Sequence, residues 1–441
     1  MSIVAHIIFE ADSALRFGCG DFDMLYDSPI QRDFNGLPMI LGTSICGVIR
    51  ANAKTIFSQN EVEKLFGTND SSSKLIFSNA LLLNEKMQVC ESLIPFSTLI
   101  KSQFLSYFLH LPQRQHNKIN EKGVCEDGAK FDEETIYKGT RFKCALEMKC
   151  ENERDEKDFF NILSLFSSPY IRFGAGSTKG FGTIKTLEIR YEILQNPLNK
   201  SNSLNESLSQ IFTPQNFEPK ADFTRYTLNL TPENVFLFGS GFGDEDADSI
   251  AVSENVVDYE NATLSKAKLL IPASSIKGAL SQRTKFYINK HLGNVINSPK
   301  SDDVNLNQIH STLFGSADTN QPTKGKILIS DIYLDYDNKQ TQIFVHNSID
   351  RFSASVIDGA LFQEKATFAP TNNPTFCIDI FVATNQNSQD FALALNAFEK
   401  ALVDVCNSFL PLGAMSSKGH GFFSGDLHKN GESIHKNGAK Q

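Results

Sequence analysis

The chain is 441 residues long, more than one ordinary hydrophobic core serves, so two or three domains are expected. Apolar residues at 41% and charged residues at 21% exclude a disordered chain, and no apolar run approaches the length of a membrane span. A net charge of −9 weighs against a uniformly basic nucleic-acid binder but not against a segregated one, because screening makes local potential decisive over about 10 Å.

The charges are segregated: acid collects in "ENERDEKD" and "GDEDAD", base in "SSIKGALSQRTKFYINKH" and "IRFGAGSTKGFGTIKTLEIR". The eight cysteines hold no Cys-x-x-Cys pair and no zinc-finger spacing with histidine, so buried thiols in a reduced, cytoplasmic setting are expected. The N-terminus alternates like a strand and has no basic-then-apolar leader.

In chain order, an alternating strand over 3–10 leads into "RFGCG" and a loop carrying Asp27. A helix over 44–57 follows, with Ser44 as its N-cap and Ile45, Val48 and Ile49 facing inward. Then come a strand over 74–82, a long irregular insertion around 116–134, a strand over 141–149, a helix over 158–167, the loop "GAGSTKGFG" at 174–182 and a last strand over 180–191. Residues 196–222 are Asn/Ser/Pro-rich and read as a linker.

The same order then returns. A strand over 225–231 leads to "LFGSG" and Asp248, with Gly241 preceding Asp248 at the spacing of Gly20 and Asp27. A helix over 275–289 starts at Ser275, and strands over 326–335 and 376–383 flank a second insertion, "HNSID…IDGALFQE", that matches "HNKIN…EDGAKFDEE". A helix over 391–408, with Phe391, Leu395, Phe398, Leu402, Val405 and Phe409 at helical spacing, runs into "GAMSSKGHG" and a strand over 420–426. Four anchors recurring in one order at a steady displacement mean duplication. The expected organisation is α+β: a first domain over 1–195, the linker 196–222, a second domain over 223–428 and a polar tail over 429–441. Strand–helix–strand–strand–helix–strand is the ferredoxin-like, RNA-recognition-motif-like order, here without the aromatic stacking signature on the strands.

These residues resemble the RAMP superfamily, and within it the backbone subunits of type III CRISPR effectors, with two copies fused in tandem. The motifs that carry the resemblance are "IPASSIKG" at 271–278, "NSIDRFSASVIDGALFQE" at 347–364 as a thumb insertion, and the two Gly-rich loops. The resemblance implies two tandem RAMP domains that bind guide RNA along their length, with thumbs that push bases out of the guide–target duplex. It also implies an aspartate before the first helix that supports cutting of complementary target RNA, at Asp27 and Asp248, and other effector subunits as partners, with no membrane.

The chemistry suits those residue types. RNA is cut by its own 2′-hydroxyl once the backbone is held in line, and a carboxylate can position that hydroxyl or hold a divalent ion, expected as Mg²⁺, with Asp27, Asp246 and Asp248 as metal candidates. Asp244 and Asp246 rival Asp248, and any of these aspartates could instead cap a turn. Ser274, Ser275 and Lys277 at a helix N-terminus suit a phosphate. The first copy has Leu41 for Pro272 and Cys46 for Lys277, leaving Ser44 and Arg50 to act there. Gly174, Gly176, Lys179 and Gly180, with Gly413, Lys418, Gly419 and His420 in the second loop, suit a sugar-phosphate chain; a helix C-cap is the alternative. Arg283 and the thumb residue Arg351 complete the expected RNA contacts, while His116 and His346 read as structural. The rival functions are a non-catalytic RNA-binding scaffold and a guide-processing endoribonuclease, the latter disfavoured because no histidine lies in the helix 44–57.

Overall fold

The computed structural model of the chain describes residues 1–20, 28–120, 125–195, 203–214, 223–293, 304–316, 322–335, 340–368, 376–384 and 388–436. Asp27 lies outside the described residues.

In the first half, β1 (Ser2–Ala11) is followed by α1 (Gly42–Ala53), β2 (Leu75–Phe77), β3 (Ala80–Leu82), β4 (Gln113–Ile119), β5 (Cys125–Glu134), β6 (Arg141–Lys149), α2 (Glu153–Leu165) and β7 (Ile184–Leu194). Strict alternation makes β1 and β6 two-faced. Ile3, Ile7 and Phe9 on β1, with Phe142, Leu146 and Met148 on β6, turn to the helices and are fully buried. Both β3 and β2 pair with β6, β6 pairs with β1 and β1 with β7, all antiparallel. That spatial order is the ferredoxin-like one. Ile45 and Ile49 of α1 and Phe159, Ile162 and Leu163 of α2 close the core. The N-terminus of α2 is set by Asn152, whose side chain accepts from the Asp155 N–H, and by three acidic residues in its first turn.

The second half repeats the plan with β8 (Phe223–Pro232), α3 (Ala273–His291), β9 (Ile327–Ile329), β10 (Ile332–Leu334), β11 (Thr341–His346), β12 (Phe362–Phe368), β13 (Phe376–Ala383), α4 (Gln389–Cys406) and β14 (Phe423–Lys429). The sheet runs β9, β13, β8, β14 and then the short strand Glu432–His435, which lies in the expected tail. Ile276 and Leu280 of α3, with Phe391, Phe398, Leu402 and Val405 of α4, cover its inner face.

Several sequence expectations change. The middle strands, read as continuous, are each broken by a pair of polar residues, Ser78–Asn79 and Ser330–Asp331. The insertions, read as irregular, are rooted in β-hairpins, β4 with β5 and β11 with β12; their polar residues hid the strand alternation. Ser408 adopts φ 61°, ending α4's path and turning Phe409 out to 67% exposure, so that residue leaves the core it was expected to join. Residues 203–214 of the expected linker lie across the outer face of the first sheet. Leu204 and Leu208 are buried there, Asn205 bonds Val89 in both directions, and Gln210–Ile211 pairs with β7.

All eight cysteines are free thiols, and burial pushes Cys144 up to about 12. Among the described residues no helix is long and apolar enough to cross a membrane.

Candidate nucleic-acid interface

The helix starts are built differently from the expectation. The N-cap positions are Leu41 and Pro272, neither with a side-chain cap, and Ser44 and Ser275 sit one turn inside. The polar breaks in the middle strands supply the caps instead. Asn79 Oδ1 accepts from the Gly42 N–H at 2.9 Å, and Asp331 Oδ1 accepts from the Ala273 N–H at 2.9 Å. Each satisfies one of the orphan donors that every helix N-terminus exposes.

Asp331 also ties the halves together. Its other oxygen receives Arg114 Nη1 from β4, while Arg114 Nε and Nη2 form a bidentate pair with Glu254; Nη2 also donates to Tyr333 at 3.0 Å. Arg114 is 5% exposed, so the pair is desolvated. Ser330 meets Thr183 Oγ1 at 3.2 Å and Arg172 Nη2 at 3.3 Å. Tyr259 from the second half is buried in the first core, donating to the Leu83 carbonyl. The Gly-rich loop of the first domain thereby lies against the start of α3: a Cβ on Gly180 would land on Asp331 and Ala273.

That contact brings two cations together. The Lys277 side chain, in the first turns of α3, has no hydrogen bond or ion pair among the described residues. Its burial, reinforced by Lys179 from the other domain, pulls its ammonium down to about 8. A partly desolvated ammonium beside a second cation and a helix N-terminus is a site that an anion stabilises.

The Gly loops each close onto the root of a thumb hairpin. Gly174 (φ 84°) and Gly413 (φ 96°) sit where a Cβ would strike the carbonyls of Arg16 and Leu237, so only glycine fits. Met415, in place of Gly176, keeps the same left-handed conformation at φ 58°. The loop lysines face buried carboxylates: Lys179 Nζ lies 3.4 Å from Glu133 and Lys418 Nζ 3.9 Å from Glu364. His116 and His346 complete the two roots, 3.3 Å from Glu133 and 2.9 Å from Glu364. Burial raises the Glu133 carboxyl, but His116, Lys179 and Arg16 together outweigh it and hold it at about 2. His420 is buried at 4% exposure, 3.6 Å from Glu364, so it faces the thumb root.

Asp248 is exposed and anchored to the second hairpin. Its N–H donates to the Gln363 carbonyl at 2.9 Å and its Oδ2 accepts from the Gln363 N–H at 2.7 Å. Its rivals are engaged elsewhere, since Lys365 Nζ pairs with Asp244 at 2.9 Å and Asp246 at 3.1 Å. Among the described residues no group of three or more His, Cys, Asp or Glu could hold a metal ion.

The remaining candidates are scattered. Arg50 lies in the last turn of α1, remote from the helix start. Arg283 pairs with Asp404 of α4 at 2.5 Å, a helix–helix contact. Arg351 stands exposed at the tip of the second hairpin. Sequence reasoning missed Asn79, Asp331, Arg114, Glu133 and Glu364. The two glutamates lie inside the repeated "DGAxFxE" anchor, so the repeat itself carried their signal.

The sequence model of the RAMP superfamily matches residues 8–185 and again residues 227–424. The chain belongs to the RAMP superfamily. Both RAMP regions fall on the ferredoxin-like units described above. No curated protein matches the chain. Among solved structures it is similar to a chain in the cryo-EM structure of the Type III-B Cmr-beta bound to cognate target RNA, at 15% identity and a TM-score of 0.32, over 43% of this chain and 60% of that one. The RAMP chain described here thus spans about 60% of that relative's length.

Proposed function

We propose that this tandem RAMP protein is a backbone subunit of a type III CRISPR effector. It binds guide RNA without regard to sequence and cuts the paired target RNA at Asp27 and Asp248. The observation that carries the RNA-binding reading is the cation pair at the domain joint. Lys277 is held partly desolvated, beside Lys179 and a helix N-terminus, with no counter-ion of its own among the described residues. Folding tolerates such a group readily when a phosphate supplies the missing charge.

In the cutting step the target's 2′-hydroxyl oxygen attacks the adjacent phosphorus and the bond to the 5′ oxygen breaks, leaving a 2′,3′-cyclic phosphate and a 5′-hydroxyl. Asp248 has one carboxylate oxygen fixed by the Gln363 N–H, which orients the other toward a hydroxyl or an ion. A divalent ion would be held by Asp27 or Asp248 with water and phosphate oxygens, and would supply charge stabilisation. The same anchoring of Asp248 favours a second reading, a scaffold in which the aspartate only fixes the hairpin.

The binding reading is tested with the full chain and a guide-length RNA. Lys277→Ala is expected to weaken binding and to lower the salt slope by about one. Unchanged affinity in Lys277→Ala and in Lys179→Ala would remove the joint from the RNA path.

A further inference from the structure

We infer that the loops carrying the two aspartates are fixed to their thumb hairpins by clamps of opposite polarity, and that Arg16, Arg32 and Lys365 are positioning residues for the two cuts. The inference rests on the cutting reading above and adds what holds each aspartate in place.

In the first domain the loop is basic and the hairpin acidic. Arg16 spans the gap: its Nη1 lies 2.6 Å from Glu133 Oε1, and its Nη2 donates to Ser28 Oγ at 2.9 Å. Ser28 directly follows Asp27 in the chain, and its carbonyl accepts from the Glu134 N–H at 3.3 Å. Further on, the Ile30 N–H donates to Glu134 Oε2 at 3.0 Å and Arg32 pairs with Glu134 Oε1. Glu133 and Glu134 are 2% and 3% exposed, so breaking either pair strands a buried charge. Salt screens such buried pairs little.

In the second domain the signs are reversed. The repeat aligns "DGAKFDEE" with "DGALFQEK", so Glu133 matches Glu364 but Glu134 matches Lys365. The shared Gly-to-Asp spacing aligns Arg16 with Leu237, which is buried and carries no charge. Here the loop supplies acid instead. Lys365 Nζ pairs with Asp244 at 2.9 Å and Asp246 at 3.1 Å. Asp244 Oδ1 also accepts from the Asp246 and Ala247 N–H groups, both at 2.9 Å, which folds the acidic run into a turn just ahead of Asp248. The "GDEDAD" run thereby acts as the counter-charge of Lys365. Asp244 and Asp246 are 33% and 62% exposed at their side chains, so salt reaches this clamp.

The exchanges are coupled. Where the hairpin carries glutamate the loop answers with arginine, and where it carries lysine the loop answers with aspartate. Two surfaces free to drift apart would not keep opposite charge on both sides; a loop that must be held against its hairpin does. Holding it matters because in-line attack by a 2′-hydroxyl tolerates little displacement of the group that orients it.

Both cuts can be read on one end-labelled complementary RNA, with the full chain assembled with guide RNA, its partner subunits and Mg²⁺, and each cut assigned by Asp27→Asn and Asp248→Asn. Arg16→Leu copies the second domain and is expected to slow the first cut by on the order of 10- to 100-fold, leaving the second cut and guide binding unchanged. Ser28→Ala keeps the Arg16–Glu133 pair and should slow the same cut less, which decides the matter if Arg16→Leu does not fold. Lys365→Glu should slow the second cut alone, and adding Asp246→Lys should recover it in part. Raising salt should lower the second cut relative to the first. Variants that slow both cuts equally, or neither, would overturn the inference. Cuts that survive both aspartate substitutions would remove the cutting reading and the inference with it, whereas cuts that need the aspartates but ignore the clamp variants remove the inference alone.

Discussion

Lys277 and Glu133 show how burial sets charge at single residues. The Lys277 ammonium lies near 8, and a bound phosphate would raise it. RNA affinity is therefore expected to be full below about pH 7 and to fall as pH rises through 8. Lys277→Arg should flatten that profile while keeping affinity, because guanidinium stays charged. A titration of binding between pH 6.5 and 9 checks both. Glu133 behaves in the opposite sense. Its carboxyl is held at about 2 against an unfolded value of 4.5, so its stabilisation is complete above pH 4.5 and is lost as pH falls toward 2. Glu133→Gln should remove that share of the acid dependence in denaturant titrations at pH 3 and pH 6. The sequence exposed the lysine through "SSIKG" but not its desolvation, which depends on tertiary packing: Lys277 Nζ lies against Gly325 of its own domain, and Lys179 of the other domain adds a second positive charge.

At the scale of elements, the strands and helices of both halves were legible because apolar alternation and helical spacing survive duplication; β6 and β13 have the bounds that pattern gave them. What the sequence hid were elements made from polar residues. The thumb roots are hairpins whose Glu–His pairs carry no apolar period, and the helix caps come from strand breaks far along the chain. The strap over 203–214 read as a linker because its apolar anchors Leu204 and Leu208 are few and its other ties, Asn205 to Val89 and the pairing of Gln210–Ile211 with β7, are polar or backbone contacts. Leu204→Ala combined with Leu208→Ala is expected to cost on the order of 2–5 kcal/mol in strap docking. Limited proteolysis should then cut within 203–214 while both domain cores stay protected. Cutting elsewhere first would show that the strap does not close that face independently.

At the scale of the whole molecule, Arg114 of the first RAMP domain and Tyr259 of the second each reach into the other domain and join the two. Arg114→Ala leaves Asp331 and Glu254 buried without their cation and is expected to cost about 3–5 kcal/mol, separating the unfolding of the two halves in calorimetry. On the proposed reading the joint would also set the RNA path, since it brings Lys179 and Lys277 of the two domains together. The most direct measurement of the central claim is a cut map. The protein would be assembled with guide RNA and its partner subunits, given Mg²⁺ and an end-labelled complementary RNA, and compared with Asp27→Asn and Asp248→Asn. The account predicts that each substitution erases a different cut while guide binding is unchanged. Cuts that persist in both variants, or that never form in the unaltered protein, would contradict it and leave a scaffold.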